Sequence, residues 1–250
     1  MKAIVVANWK MNPATWREAK KLFEATRKAA DKAKHITIVV CPPAIYLRDL
    51  KTHFKSKRIA FGLQNAHEEA IGAHTGEISI AQGKDAGAQY VIVGHAERRA
   101  QGETNEDTGR KVAAVLAETV VPVLCVGESE RTHTGEHFAL VKEQVRAGFT
   151  NVQAAKVKNV VVVYEPLWTI GKNVPMSPHE MHEMAIFIRK SIVEYKGETA
   201  MNVRILYGGS IDEQNAGVML REAEISGLLV GRASEDPTKV AALLQAIENA

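Results

Sequence analysis

Short apolar runs recur eight times along this 250-residue chain, at residues 4–7, 36–41, 58–63, 90–94, 120–126, 160–164, 203–207 and 227–230. Segments with helical spacing lie between them. Trp16, Ala19, Phe23 and Ala30 follow the first run, and Val112, Val115 and Leu116 follow the fourth. Met181, Met184, Ala185, Ile188 and Ile192 follow the sixth, while Val240, Leu243, Leu244 and Ile247 close the chain at i, i+3, i+4, i+7. Ser177-Pro178 with Glu180 three residues after the serine reads as a helix start. The consecutive valines Val160, Val161, Val162 and Val163 fit a strand buried on both faces, the habit of parallel sheets covered by helices. Eight strand–helix alternations without a linker or a break in composition predict one α/β domain over residues 1–250, a (β/α)8 barrel of eight parallel strands ringed by helices. A doubly wound open sheet is the main rival, but no G-x-G-x-x-G or G-x-x-x-x-G-K follows any of the runs.

Composition narrows the functional classes. Apolar residues make up 46% and charged residues 24%, an ordinary balance for a soluble globular chain. The net charge, 32 − 29 = +3, is too mild to argue for nucleic acid, yet it does not repel a small anionic substrate. Cys41 and Cys125 sit far apart in apolar, strand-like contexts, which suits buried reduced thiols and a cytoplasmic protein. The N-terminus runs straight into a strand and no apolar run reaches membrane-spanning length, so no targeting or membrane role is expected.

Polar residues at the ends of the runs carry the chemistry. Catalytic groups of such barrels gather at the C-terminal ends of the strands. Those ends read Asn8-Trp9-Lys10, Gln64-Asn65, His95-Ala96-Glu97-Arg98, Glu128, Glu165, Gly208-Gly209-Ser210 and Gly231-Arg232. At the sixth, a lone carboxylate is followed by Pro166, which turns the chain, and then by Leu167, Trp168, Ile170 and Gly171. An apolar loop tip beside a single carboxylate reads as a lid over a general base. The alternative for Glu165 alone is a solvated strand-end glutamate beside an ordinary loop.

These motifs, taken in order, resemble the triosephosphate isomerase family over nearly the whole chain. The resemblance is carried by Asn8-Trp9-Lys10-Met11-Asn12, Gly94-His95-Ala96-Glu97-Arg98-Arg99 and Tyr164-Glu165-Pro166-Leu167-Trp168. Thr75-Gly76-Glu77, Cys125-Val126-Gly127-Glu128, Tyr207-Gly208-Gly209-Ser210 and Leu229-Val230-Gly231 support it. It implies a TIM barrel that interconverts dihydroxyacetone phosphate and D-glyceraldehyde 3-phosphate, a step of glycolysis and gluconeogenesis, with no metal or organic cofactor. The roles of a base glutamate and a neutral histidine are established for the family. By resemblance, Glu165 moves the proton, His95 polarises the carbonyl, Lys10 stabilises the enediolate, Asn8 orients Lys10, and Glu97 lies close enough to take part. The substrate phosphate is held by backbone N–H groups, here those of Gly171, Ser210, Gly231 and Arg232. The connection over residues 65–77 is far longer than the ~2–6 residues usual for such loops. In the family it reaches a second subunit, which implies a homodimer.

The chain departs from the family pattern at Ala96, where a serine can bond the base glutamate; that contact is expected to be absent or replaced by water. The far hinge of the lid reads Lys172-Asn173-Val174-Pro175-Met176, His74 replaces an aromatic in the dimer loop, and Arg232 replaces a glycine. Arg232 is expected to adopt an ordinary φ and to lie outward in solvent. His179 and His182 with Glu180 and Glu183 are spaced H-E-x-H rather than H-E-x-x-H, so no metal site is expected. The basic residues Arg27, Lys28, Lys32 and Lys34 lack interleaved aromatics and read as a solvated helix face. Two competing functions remain: another phosphate-gripping barrel isomerase, and a catalytically impaired relative that binds a sugar phosphate. The joint presence of Lys10, His95 and Glu165 argues against both.

Overall fold

A computed structural model describes residues 2–54, 56–131, 134–169 and 175–250. Its strands are β1 Ala3–Asn8, β2 Ile36–Cys41, β3 Ile59–Leu63, β4 Ala88–Val93, β5 Val121–Val126, β6 Val161–Tyr164, β7 Arg204–Tyr207 and β8 Gly227–Val230. The helices are α1 Trp16–Lys32, α2 Ala44–His53, α3 Ile80–Ala86, α4 Ala96–Ala100, α5 Asn105–Ala117, α6 Glu136–Phe149, α7 Pro178–Lys196, α8 Ala216–Glu222 and α9 Pro237–Glu248. Every strand pairs in parallel with its sequence neighbour, and β8 returns to β1 through Val6↔Leu229, which closes the barrel.

The valine run shows how sequence becomes layers. Val161 and Val163 turn inward and pack with Ile4, Val6, Ile92, Val123 and Leu206 to fill the barrel. Val160, Val162 and Tyr164 turn outward and join the layer formed with helix residues such as Phe149, Ile188 and Ile192. Both sets are buried because helices cover the outer face, so a run with no polar alternation is the only pattern that fits. At ~25 cal/mol per Å² of apolar surface, these two layers dominate the stability of the fold.

Strand bounds fall within a residue or two of the runs, the largest shift being at β4, which begins at Ala88 because exposed Gln89 interrupts the apolar signal. After β4 comes one short helix, α4; five residues are too few for an apolar period to register. Capping boxes start α1 (Thr15 with Glu18), α3 (Ser79 with Gln82), α5 (Thr104 with Asp107) and α7 (Ser177 with Glu180). Glu180, one member of the H-E-x-H pattern, is thus spent on a helix start and on Arg131 at 3.3 Å. Both cysteines are free and buried. Among the described residues no helix is long and apolar enough to cross a membrane.

Candidate active site

A cavity of about 60 Å³ opens at the C-terminal ends of the strands. It brings together Asn8, Lys10, His95, Glu165, Ser210, Gly231 and Arg232 from the ends of β1, β4, β6, β7 and β8. Glu97 does not line it but reaches Lys10 from α4, and Gly171 lies outside the described residues.

Glu165 leaves β6 with 2% of its surface exposed. Its backbone N–H is held by Val126 O at 2.8 Å, which aims the side chain across the mouth. Oε2 accepts the backbone N–H of Ala96 at 3.1 Å. The contact expected to be absent or taken by water is therefore supplied by the same residue's main chain, because the first N–H groups of α4 have no partner inside the helix. Oε1 lies 3.3 Å from His95 Nε2 without hydrogen-bond alignment, and among the described residues this buried oxygen has no partner. Unlike the equally unpaired Oε2 atoms of Glu103 and Glu128, this oxygen belongs to a residue that lines the cavity. The nearby Cys125 thiol is pushed well up in pKa by burial and by the Glu165 carboxylate, so it stays a neutral thiol.

His95 caps α4. Its Nδ1 accepts the Glu97 N–H at 3.2 Å, so the ring proton resides on Nε2, the nitrogen that faces the cavity and Glu165. The tight bend that delivers this ring uses Gly94 at φ +71, where a Cβ would come within 3.0 Å of Thr108 Cγ2. Arg99 locks the bend by donating to Gly94 O at 2.8 Å and to Asn105 Oδ1 at 2.7 Å.

Lys10 stands at φ +51, a left-handed conformation costly for a side-chain-bearing residue. Two groups hold it there. Asn8 Oδ1 accepts the Lys10 N–H at 3.0 Å, and Gln64 Nε2 donates to the Lys10 carbonyl at 2.8 Å and to Cys41 O at 2.9 Å. Lys10 Nζ bonds Glu97 Oε1 at 2.5 Å, so the ammonium has a counterion before any substrate arrives. Gln64 had stood among the strand-end residues without a role. Its place at the end of β3 was the available signal, and its function is to hold strained backbone.

The glycine-rich end of the cavity is formed after β7 and β8. Gly209 is required because a Cβ there would sit 2.2 Å from the Tyr207 hydroxyl. That hydroxyl accepts the Met176 N–H at 3.3 Å and fixes the chain ahead of α7. The Ser210 carbonyl accepts from Asn215 Nδ2 at 3.2 Å, which sets the path of this loop. Gly231 passes so close to Lys10 that an added Cβ would lie 3.3 Å from its Cε. Arg232 opens a short 3-10 turn, where its carbonyl accepts the Glu235 N–H at 3.3 Å; it is absent from the positive-φ positions, and its exposed side chain makes no ion pair or hydrogen bond among the described residues. The hinge residues Lys172, Asn173 and Val174 lie outside the described residues.

The chain just beyond Glu165 is anchored by Glu128, a strand-end residue named above without a role. Glu128 Oε1 accepts Tyr164 Oη at 2.7 Å and Trp168 Nε1 at 2.9 Å, and the Glu128 carbonyl accepts the Leu167 N–H at 2.9 Å. Arg131 closes the group, 3.6 Å from Glu128 and over the Trp168 ring at 5.4 Å. Glu128→Ala strands the buried tyrosine hydroxyl and the indole N–H. The expected cost is about 2–4 kcal/mol of stability, with a changed Trp168 fluorescence signal. Glu128→Gln, which keeps an acceptor, should recover most of it in a denaturant titration.

In the connection over residues 65–77, His67 and His74 stack at 3.8 Å and His74 Nε2 lies 3.0 Å from Glu69. Thr75, Gly76 and Glu77 are exposed at the tip, and Ile71 is 90% exposed. Met11 and Ile45 are also bare, at 93% and 78%.

A carboxylate, an imidazole donor and an ammonium that meet at the mouth of a closed eight-stranded barrel suit proton transfer next to a carbonyl, and TIM-barrel enzymes of acid–base chemistry are the class to which this fold and site point. A sequence model of the family described as triosephosphate isomerase matches residues 3–247. Curated relatives named triosephosphate isomerase include one from Endomicrobium trichonymphae, 39% identical over 93% of this chain and 94% of that protein. Another, from Aquifex aeolicus, is 37% identical over 98% of this chain and 99% of that protein. The crystal structure of triosephosphate isomerase from Bartonella henselae superposes with a TM-score of 0.87 at 27% identity, covering 98% of this chain and 99% of that one. The chain belongs to the triosephosphate isomerase family.

Proposed function

We propose that the chain interconverts dihydroxyacetone phosphate and D-glyceraldehyde 3-phosphate through an enediolate, without metal or organic cofactor, as a cytoplasmic homodimer. The observation that carries this reading is the buried, unpartnered Glu165 Oε1 beside the Nε2–H of His95. Glu165 takes a proton from C1 of dihydroxyacetone phosphate while His95 Nε2–H and Lys10 Nζ donate to the carbonyl oxygen. The C–H electron pair becomes the C1–C2 double bond and the carbonyl pair moves to oxygen. His95 then mediates proton transfer between the two oxygens, and Glu165 returns a proton to C2. Asn8 and Glu97 act by fixing Lys10. Closure of the lid excludes water and strengthens the base. A coupled assay with D-glyceraldehyde 3-phosphate tests the proposal directly: turnover is expected, and binding without turnover would favour an impaired sugar-phosphate-binding relative.

The phosphate is held by backbone N–H groups of Gly171, Ser210, Gly231 and Arg232, at a mouth where close main-chain approach replaces side-chain charge. The exposed, unpaired Arg232 side chain favours a solvent position. Arg232→Gly should then change the inhibition constant of a phosphate-bearing substrate analogue by no more than about three-fold. A direct guanidinium–phosphate bond is worth roughly 1.5–3 kcal/mol, so a 10- to 100-fold loss that shrinks at high salt would overturn this placement.

Dimerisation through residues 65–77 is supported by the exposed Ile71, Met11 and Ile45, large apolar groups that a second subunit would cover. Deleting the tip of that loop should give a monomer of much lower activity, since Lys10 and His95 would lose an outer support. Light scattering of the intact chain as a monomer at micromolar concentration would sink the dimer.

A further inference from the structure

The opposite mouth of the barrel, at the N-terminal ends of the strands, holds cations that the isomerase chemistry does not use. Two cavities of about 460 and 500 Å³ open there and share the wall formed by Tyr90, Thr119, Val120 and Val121. Both volumes fall in the range of about 300–1,000 Å³ typical of small-molecule sites. Lys156, Lys158 and Arg204 line the first, and Lys51 and Lys84 line the second. The length of β6, about 13 Å at ~3.3 Å per residue, separates this mouth from Glu165.

Three of these cations are spent on the fold. Lys156 Nζ donates to Leu116 O at 3.3 Å near the end of α5, and Lys51 Nζ donates to Gly87 O at 3.4 Å just past α3. Lys84 pairs with Glu118 at 3.2 Å. Lys158 and Arg204 are different, since neither side chain makes an ion pair or hydrogen bond among the described residues. Arg204 is the first residue of β7 and is half-buried, so its unbalanced charge is only partly screened by water. It acts on half-buried Tyr90, whose pKa is raised by burial and opposed by the Arg204 charge. A cleft lined by one sign of charge with apolar walls focuses its field on a counter-ion.

The shared wall adds a second observation. Thr119 sits at φ +57, just past α5, where its N–H bonds Leu116 O at 3.3 Å and the Val120 N–H bonds Val115 O at 3.2 Å. Glycine makes this helix ending without strain, whereas a β-branched residue there is an outlier. The strained residue is exposed on the wall between the two cavities, where its hydroxyl donates to the Glu118 carbonyl at 2.6 Å, and such strain clusters where a ligand is held.

We propose that this lower mouth is a second anion site, built for a small ligand bearing two or more phosphate groups, with Arg204 and Lys158 as its principal charges. A triose phosphate carries a single phosphate and is met at the upper mouth by main-chain N–H groups. Nucleic acid would need cations spread over an open face, whereas these surround concave cavities in a chain of net charge only +3.

Calorimetric titration of inorganic tripolyphosphate into the full chain, with the upper mouth saturated by glycerol 3-phosphate, tests the proposal. One tripolyphosphate should bind per chain at low salt with a Kd below about 1 mM, weakening as salt rises. Arg204→Gln and Lys158→Gln should each weaken it by about ten-fold while leaving isomerase turnover unchanged. Exposed Lys158 carries the test alone should Arg204→Gln fail to fold. Absence of binding with the upper mouth filled, or equal binding by wild type and both variants, would overturn the site. Tighter binding of a DNA duplex through the same two residues would overturn the small-ligand assignment.

Discussion

Glu165→Gln is expected to lower kcat by about 10³–10⁴-fold, with KM changed by less than about three-fold. Glutamine has nearly the shape of glutamate, and its carbonyl oxygen can still accept the Ala96 N–H now bound by Oε2 at 3.1 Å. Its amide nitrogen would then take the place of Oε1, which lies 3.3 Å from His95 Nε2. Two donors would face each other, and no group there could accept a carbon-bound proton. The proposed phosphate contacts do not involve Glu165, so ground-state affinity should persist. Retention of more than about a tenth of the wild-type rate would mean that another group removes the proton.

His95→Ala is expected to cost about 10²–10³ in kcat, the scale found when one oxyanion donor is removed. In the proposed reaction the ring does two jobs: Nδ1 caps α4 at the Glu97 N–H, and Nε2, 3.3 Å from Glu165 Oε1, offers its proton to the carbonyl. Alanine loses both, and the α4 cap alone is worth about 1 kcal/mol. Glutamine supplies an N–H donor of similar reach but cannot also accept at the position of Nδ1. The expected order of kcat is therefore wild type, then His95→Gln, then His95→Ala, with thermal unfolding separating lost stability from lost chemistry. A His95→Ala variant within ten-fold of wild type would remove the histidine from the reaction.

The fold was legible because its signals are long-range and repeated. A strand such as Val160–Tyr164 that must be buried on both faces leaves few architectures, and eight such runs with helical spacers leave one. Strand ends then put Asn8, Lys10, His95 and Glu165 at one mouth. What the sequence hid was set by main-chain geometry. The φ of +51 at Lys10, and the Gln64 contacts that sustain it, arise from tertiary packing that no local pattern records. Ala96 looked like a lost contact because only side chains are visible in a sequence, whereas the bond to Glu165 comes from an N–H that every non-proline residue carries. Glu128 looked like one more strand-end carboxylate until Tyr164 and Trp168 converged on it. Helix α4 left no mark in the sequence pattern because so short a helix has no periodicity to read.

Isomerisation of dihydroxyacetone phosphate in deuterium oxide, followed by NMR of the product trapped as it forms, tests proton transfer through Glu165 most directly. A single carboxylate that takes a proton from C1 can exchange it with solvent before returning one to C2. The expected result is rapid turnover with deuterium at C2 of D-glyceraldehyde 3-phosphate. No turnover, or product formed without any deuterium at C2 as in a direct hydride shift, would contradict the enediolate mechanism.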